Sequence, residues 1–288
     1  MAPINVSALI AGAAEKLDAV GIDDGAAEAE LVLCELLDVD RLHMYLHGPT
    51  LIDDDIIRQF DAVIDKRLTR RPLQYILGSA WFFGRKFVVN EDVMIPTPET
   101  ELLLDASLRA VRFCHSNPVR LLDVGTGSGV IALSAKLENP ALEITAVDIS
   151  PKALDVAREN AEQFEIADDI QFVESDLLEA LDRSQPFDII ACNPPYIRTA
   201  EYEELEPEVK AEPQLALLAG PKGLDVIERL ITQAPELMRR PGFLLFEIGY
   251  NQADDVLSLV RDDGRYPECI IMKDLDDRDR VALCKVGS

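Results

Sequence analysis

Residues 120–136 read RLLDVGTGSGVIALSAK, so a short apolar run, a glycine-rich loop and a helical run follow one another directly. Glycine permits a tight turn and lets backbone amides approach a ligand closely, and a helix N-terminus next to such a loop attracts polar groups. A strand, a glycine loop and a helix in this order are typical of a nucleotide-binding α/β sheet. This stretch therefore predicts the fold class and the edge of the sheet where a ligand binds.

The same alternation continues through the second half of the chain. Further apolar runs of strand length are EITAVD (143–148), IQFVES (170–175), FDIIACN (187–193) and FLLFEIG (243–249). Helical stretches are predicted at Val130–Leu137, Pro151–Phe164 and Lys222–Met238. Continuous apolar strands between helices predict a parallel sheet covered on both faces, a doubly wound α/β fold. The late runs Tyr266–Met272 and Arg280–Val286 predict a terminal antiparallel hairpin.

The first 118 residues follow a different pattern. Apolar residues at helical spacing from about Val6 to Leu68 predict a small bundle of three helices, with turns at 21–23 and at Gly48-Pro49. Arg71-Pro72 ends this pattern, and WFFGRKFVVN (81–90) predicts a β-hairpin with Gly84 in its turn. We therefore expect three parts: a helical substrate-binding domain at 1–70, a hairpin and linker region at 71–118, and a catalytic domain at 119–288.

Composition narrows the classes of partner. The 288 residues carry 53 acidic and 28 basic side chains, a formal net charge of −25. Such a charge opposes binding to polyanionic nucleic acid and to anionic membranes. The five cysteines are scattered without a CxxC pair, and the three histidines form no metal-spaced cluster with them, so we expect no metal site. The odd number of cysteines favours a protein of the reducing cytoplasm. The N-terminal residues lack the features of a signal peptide and are predicted to form the first helix. No dimer face is evident in the sequence, so we expect a monomer.

The glycine loop discriminates between cofactors. A dinucleotide site requires G-x-G-x-x-G, but position 130 is Val130. The G-x-G-x-G pattern after an acidic residue is instead associated with S-adenosylmethionine (SAM) methyltransferases. Asp148 ends the next strand, where a carboxylate can accept hydrogen bonds from ribose hydroxyls. Asp176 follows the third strand and is interpreted either as a contact to the adenine edge or as a helix N-cap. The predicted cofactor contacts are Gly125, Thr126, Gly127, Ser128, Gly129, Asp148, Asp176, Leu177 and Asn193.

The motif Asn193-Pro194-Pro195-Tyr196 follows the strand FDIIAC and points to the chemistry. The Asn193 side-chain oxygen and the Pro194 carbonyl are two acceptors that can hold both hydrogens of a planar NH2 group. An amide or exocyclic amine nitrogen is barely nucleophilic because its lone pair is delocalised, so alignment and electrostatics would drive its methylation. Tyr196 offers a flat face for stacking. The four residues Asn193, Pro194, Pro195 and Tyr196 are the predicted catalytic set.

The chain as a whole resembles the release-factor glutamine methyltransferases of the PrmC/HemK family. The resemblance rests on the helical N-terminal part, the joining segment RPLQYILGSAWFFGRKFVVNEDVMIPTPETELLL, the loop DVGTGSG, NPPY and the strand PGFLLFEIG. It implies SAM-dependent N5-methylation of the glutamine in the GGQ motif of peptide-chain release factors, with the helical domain helping to hold that partner. Two positions depart from the family pattern: Thr97 stands where an arginine is usual, and Leu177 where some members carry an aromatic residue. Glu247 is assigned no role.

Two alternatives remain open at this point. Related Asn-Pro-Pro loops serve enzymes that methylate adenine N6 or cytosine N4 in nucleic acid, which need a basic channel that this acidic chain supplies poorly. A protein that keeps the SAM fold only as a binding scaffold is the other alternative, and the intact loop, Asp148 and NPPY argue against it.

Overall fold

The computed structural model describes the backbone of residues 5–287, and the side chains of these residues except 48–51. Its contacts divide the chain into two compact units. One comprises Met1–Gly78 with Glu206–Ala211, and the other comprises Ser79–Leu205 with Glu212–Ser288. Residues of the predicted linker at 71–118 are thus shared between the two units. The assignment of separate roles to 1–70, 71–118 and 119–288 stays a prediction.

The first unit is helical, as expected, but it contains more helices than the three predicted. Asn5 and Asp53 begin two of them, because each side chain accepts hydrogen bonds from backbone amides of the following turn. The buried faces meet in one apolar cluster that includes Leu17, Leu33 and Phe60. The helices are α1 (Val6–Asp18), α2 (Gly25–Leu37), α3 (Arg41–Leu51), α4 (Asp54–Arg67) and α5 (Leu73–Leu77).

The predicted turn at Gly48-Pro49 is wrong, because α3 continues through both residues to Leu51. A proline in the last turn of a helix removes one backbone hydrogen bond but does not itself force the chain out of the helix. The break comes instead before α4, where the Asp53 carboxylate accepts from the amides of Asp55 and Ile56 at 2.9 Å each. A strong N-cap thus determines where α4 begins.

Segment 206–211 belongs to the helical unit through an ion-pair network. Arg67 is buried and donates to Glu28 and to Glu208, each at 2.7 Å, and Arg70 donates to Glu208 at 2.6 Å. Burial alone would raise the pKa of Glu208, but the hydrogen bonds from Arg70 and Arg67 lower it to about 2. Glu208 therefore stays ionised and holds this segment to α4 across the physiological pH range.

The second unit begins with the predicted hairpin, formed by β1 (Ser79–Phe82) and β2 (Arg85–Val88). Both turn residues, Phe83 and Gly84, have positive φ, the conformation that suits the twist of a tight hairpin. The helix α6 (Pro98–Ala110) follows and contributes Leu103 and Leu104 to the core.

A seven-stranded sheet forms the centre of the second unit. Its strand order is β5-β4-β3-β6-β7-β9-β8; the first five strands are parallel to one another, and β9 is antiparallel to both of its neighbours, β7 and β8. The doubly wound sheet and the terminal antiparallel hairpin are therefore confirmed. The strands are β3 (Arg120–Val124), β4 (Glu143–Asp148), β5 (Ile170–Glu174), β6 (Phe187–Cys192), β7 (Met238–Glu247), β8 (Glu268–Lys273) and β9 (Asp279–Val286).

Consecutive residues of the central strands pack on opposite faces of the sheet. Leu121 lies in an apolar cluster with α6, whereas Leu122 lies in another cluster with Ile227 and Val256. The sheet is thus covered on both sides, as its continuous apolar strands predict. The remaining helices are α7 (Val130–Glu138), α8 (Pro151–Gln163), α9 (Pro207–Lys210), α10 (Gln214–Leu217), α11 (Asp225–Gln233) and α12 (Ala253–Asp263).

The topology places one crevice at the carboxyl ends of β3 and β6. The chain runs from β3 outward to β5 and then returns to β6 on the other side of β3, so the strand order reverses between β3 and β6. Ligands of open α/β sheets bind outside such a reversal. None of the helices described for residues 5–287 is both long and apolar enough to cross a membrane.

Candidate active site

A cavity of about 270 Å³ opens at this reversal point. Three loops that follow β3, β4 and β6 form most of its wall, and the segments at 92–100 and 213–216 close it. Concave sites with a mainly apolar wall and a few polar groups are the usual ligand sites of proteins. Ten of the twelve predicted site residues line this cavity: Gly125, Thr126, Gly127, Ser128, Asp148, Asp176, Leu177, Asn193, Pro194 and Pro195. Gly129 does not line it but adjoins the lining residue Ser128 as the N-cap of α7.

The glycine loop has a conformation that its three glycines make possible. Gly125, Gly127 and Gly129 have φ values of 70°, 56° and 85°. At Gly129 an added Cβ would lie 3.0 Å from the Leu133 side chain and 3.2 Å from Ala157, so a larger residue would separate the loop from two helices. At Gly127 an added Cβ would meet no protein atom within 4 Å, so it would occupy the space of the cavity itself.

The carboxylates of Asp123 and Asp148 accept hydrogen bonds that hold the glycine loop in place. Asp123 is buried and accepts hydrogen bonds from Thr126 Oγ1 at 2.6 Å and from the Ala132 amide at 3.1 Å, and burial raises its pKa to about 7. Asp148 accepts from the amide of Gly127 at 2.9 Å, and burial raises its pKa as well. A carboxylate oxygen that accepts one hydrogen bond can accept a second. Asp148 can therefore fix the loop and still receive donors from a ligand.

Asp176 and Leu177 lie in a turn after β5, not in a helix. The interpretation of Asp176 as an N-cap is wrong, because its carboxylate pairs with Arg229 at 2.9 Å and no α-helix begins there. The side-chain acceptor in this turn is Ser175, whose Oγ receives the amide of Ala180 at 3.1 Å. Leu177 has a φ of 51°, an uncommon conformation for a branched side chain, and it presents apolar surface to the cavity.

The NPPY motif follows β6, and a chain of hydrogen bonds orients its first residue. Asn193 Nδ2 donates to Thr100 Oγ1 at 2.9 Å, and Thr100 Oγ1 donates to Glu247 Oε2 at 2.9 Å. Tyr196, like Gly129, is a predicted site residue that does not line the cavity, and its hydroxyl donates to Glu247 Oε1 at 3.3 Å. Burial raises the pKa of Glu247 to about 7, while the Thr100 hydroxyl and the charge of Arg280 act against this shift.

Glu247, Thr100 and Gln252 are site residues that sequence reasoning missed. Gln252 is buried, and its Nε2 donates to the carbonyls of Tyr196 at 3.1 Å and of Gly223 at 3.0 Å. The one signal in the sequence was a carboxylate at the end of an otherwise apolar strand, since a buried charge requires partners. The hydrogen-bond partners of Glu247 come from α6, through Thr100, and from the NPPY loop, through Tyr196.

Asn160 connects the hairpin to the glycine loop. Its side chain, buried on α8, accepts from the Val88 amide at 2.6 Å and donates to the carbonyls of Val88 at 3.0 Å and Ser128 at 2.9 Å. The hairpin is therefore connected to the glycine loop through the side chain of Asn160.

Comparisons with known proteins agree with this architecture. Residues 8–78 match the family described as PrmC N-terminal domain, and residues 98–208 match the family described as Methyltransferase small domain. A curated protein named release factor glutamine methyltransferase from Chlorobaculum tepidum is 39% identical, and the match covers 91% of each chain. One of the same name from Cereibacter sphaeroides is 38% identical over 95% of this chain and 96% of its own. The hMettl16 catalytic domain, solved with a MAT2A 3′UTR hairpin, is 17% identical with a TM-score of 0.57, covers 78% of this chain and 81% of its own, and shares the fold.

Proposed function

The chain belongs to the release factor glutamine methyltransferases, and from this membership we propose that it transfers the methyl group of SAM to the side-chain nitrogen of the glutamine in the GGQ motif of peptide-chain release factors. The observation that carries the proposal is the position of Asn193 in the cavity, with its amide nitrogen held by Thr100. This bond directs the Asn193 side-chain oxygen away from Thr100, as an acceptor for a substrate amide.

The residues of the cavity fit SAM. Gly127 leaves open the space that a side chain would fill, and Asp148 retains acceptor capacity beside it for ribose hydroxyls. Ile149 and Leu177 add apolar surface for a planar base. When bound, SAM supplies a methyl group on a positively charged sulfur. We assign its binding to Gly125, Thr126, Gly127, Ser128, Gly129, Asp148, Asp176, Leu177 and Asn193.

We assign the substrate glutamine to the NPPY loop. The Asn193 side-chain oxygen and the Pro194 carbonyl accept the two N–H bonds of the amide, and Pro195 stiffens the loop that carries them. This grip favours a pyramidal nitrogen whose lone pair points toward the methyl group, so positioning and electrostatics replace a strong base. The new N–C bond would form as the C–S bond of the bound cofactor breaks to leave a neutral thioether, and one of the two held N–H protons would pass to water to give the N-methyl amide. Stacking of the amide on Tyr196 stays part of the proposal, and the hydroxyl of that ring contacts Glu247.

The acidic charge supports a protein substrate over nucleic acid. A net charge of −25 attracts a partner with basic patches and repels a polyanion. We therefore expect the affinity for a release factor to fall steeply with added salt, since screening removes long-range attraction. The proposal includes a monomer that works in the cytoplasm without direct nucleic-acid or membrane contact, consistent with five free cysteines. Salt-independent affinity would contradict the electrostatic part.

Labelled SAM, a purified release factor and a nucleic-acid fraction test the proposal together. We expect one methyl group per release factor, confined to the GGQ glutamine, and none in nucleic acid. Asn193→Ala should abolish methyl transfer and leave SAM binding intact. Asn139→Ala should change neither, because the Asn139 side chain accepts a hydrogen bond from the backbone amide of Ala141 in its own loop. Label in nucleic acid without label in the release factor would refute the proposal.

A further inference from the structure

The hydrogen-bond chain behind the NPPY loop has a direction, and that direction decides what the cavity can recognise. An asparagine amide presents an acceptor on one side and two donors on the other, and the two arrangements differ by a flip of the side chain. With its oxygen in the cavity, Asn193 binds a donor such as an amide NH2. With its nitrogen there, it would bind an acceptor such as a carboxylate.

We propose that Thr100 and Glu247 are positioning residues that hold the Asn193 amide with its oxygen toward the substrate, and that they thereby select glutamine over glutamate. This inference rests on the proposed function and assigns the selectivity of the same site. Neither residue needs to touch the reacting atoms.

The direction follows from which groups can only accept. An ionised carboxylate has no proton to donate, so Glu247 must accept from the Thr100 hydroxyl, over 2.9 Å. The single hydrogen of Thr100 is then committed, and its oxygen is left to accept. The neighbouring atom, 2.9 Å away on Asn193, must therefore be the donor Nδ2. The Tyr196 hydroxyl donates to the other oxygen of Glu247, which supports the ionised form from its second side.

Protonation of Glu247 would release this constraint. A protonated carboxyl can donate to Thr100, whose hydrogen would then be free to point at Asn193 and to stabilise the flipped amide. The groups that act on Glu247 are Thr100 and Tyr196 through hydrogen bonds, and Arg280 and Glu99 through charge. Burial raises its pKa to about 7, so its ionisation falls within an accessible range of pH.

The variant Thr100→Val tests the proposal, because valine has nearly the same shape and can neither accept nor donate. Two ligands are compared: the release factor with its GGQ glutamine, and the same protein with glutamate at that position, used as a competitive inhibitor. The wild-type chain should bind the glutamate form much more weakly. In Thr100→Val that preference should shrink by roughly tenfold, since Asn193 can then turn a donor toward a carboxylate.

Two further variants separate positioning from general damage. Thr100→Ser keeps the hydroxyl and should retain the wild-type preference. Ser107→Ala removes another buried hydroxyl from the same helix, one that donates only to the Leu103 carbonyl, and should leave preference and transfer unchanged. In the wild type, the preference for the glutamine form over the glutamate form should decrease as pH falls through about 7. In Glu247→Gln this preference should no longer depend on pH.

The outcomes are distinguishable from failure of the proposed function. No methyl transfer by the wild-type chain would refute that function. Transfer by the wild type, with an unchanged glutamine-to-glutamate preference in a folded Thr100→Val variant, would overturn the positioning role alone. Loss of the preference in Thr100→Ser as well would also overturn it, because the hydroxyl is retained there.

Discussion

Gly223 is a position where one added methyl group should impair catalysis far more than stability. An added Cβ would lie 2.3 Å from the carbonyl oxygen of Tyr196, and the φ of Gly223 is +72°. The left-handed backbone costs alanine about 1–2 kcal/mol. The contact forces the end of the NPPY loop to move by about 1 Å, and a displacement of that size at a reacting group reduces the rate by about 100-fold. We therefore expect Gly223→Ala to fold and to bind SAM, but to transfer methyl groups about 100-fold more slowly.

Gly264→Ala is the matched control. Gly264 also has a left-handed φ, +76°, but an added Cβ would meet no atom within 4 Å. Both variants should lose the free energy of unfolding that the left-handed backbone costs alanine, with a further loss in Gly223→Ala from the contact, in urea titrations. Only Gly223→Ala should lose transfer to the release factor. A kcat of Gly223→Ala within about threefold of that of Gly264→Ala would contradict this prediction, because the contact with Tyr196 would then have no effect on catalysis.

Three further predictions concern buried polar groups. Burial raises the pKa of Glu247 to about 7, so its contribution to stability is full below about pH 4.5 and is lost as pH rises through about 7. The free energy of unfolding should therefore fall less between about pH 5 and pH 8 in Glu247→Gln than in the wild type, by on the order of 1–3 kcal/mol. Asn160→Ala should lower the free energy of unfolding by about 2–4 kcal/mol and weaken SAM binding, because three hydrogen bonds between the hairpin and the glycine loop are lost. Asp148→Asn should weaken SAM binding by roughly tenfold or more in calorimetry, since an amide cannot accept at both of its ends.

The predictions for Asn160 and Asp148 each have a control on the same chain. Gln163 lies on α8 with Asn160 and donates to the same hairpin from an exposed position, so Gln163→Ala should cost less than about 1 kcal/mol. Asp155→Asn, an exposed change on α8, should leave SAM binding intact. Equal losses in Asn160→Ala and Gln163→Ala, or an unchanged pH profile in Glu247→Gln, would contradict the roles given to burial.

Local features of the sequence were sufficient for the sheet and for most of the cavity wall. The glycine loop and the NPPY loop each combine a backbone conformation with a place at the end of an apolar strand, and both properties are encoded by neighbouring residues. Parallel strands bring their carboxyl ends to one edge of the sheet. The strand assignment alone therefore predicts that the glycine loop and the NPPY loop lie close together. The helix α3 was missed, and the predicted turn at Gly48-Pro49 was wrong, because α3 continues through both residues and the break comes only before the N-cap at Asp53.

The contacts that hold the active-site loop join elements that are distant in the sequence. Thr100 and Glu247 are 147 residues apart in sequence, and they meet because α6 packs beside the sheet at the end of β7. Asn160 reaches the hairpin 72 residues before it, and Gln252 reaches Tyr196 from beyond β7. The fold, the two ligand loops and the family could all be predicted from local sequence, because they depend on local spacing and backbone freedom. The direction of the Asn193 amide depends on hydrogen bonds between distant elements, and their register exists only once the sheet is assembled.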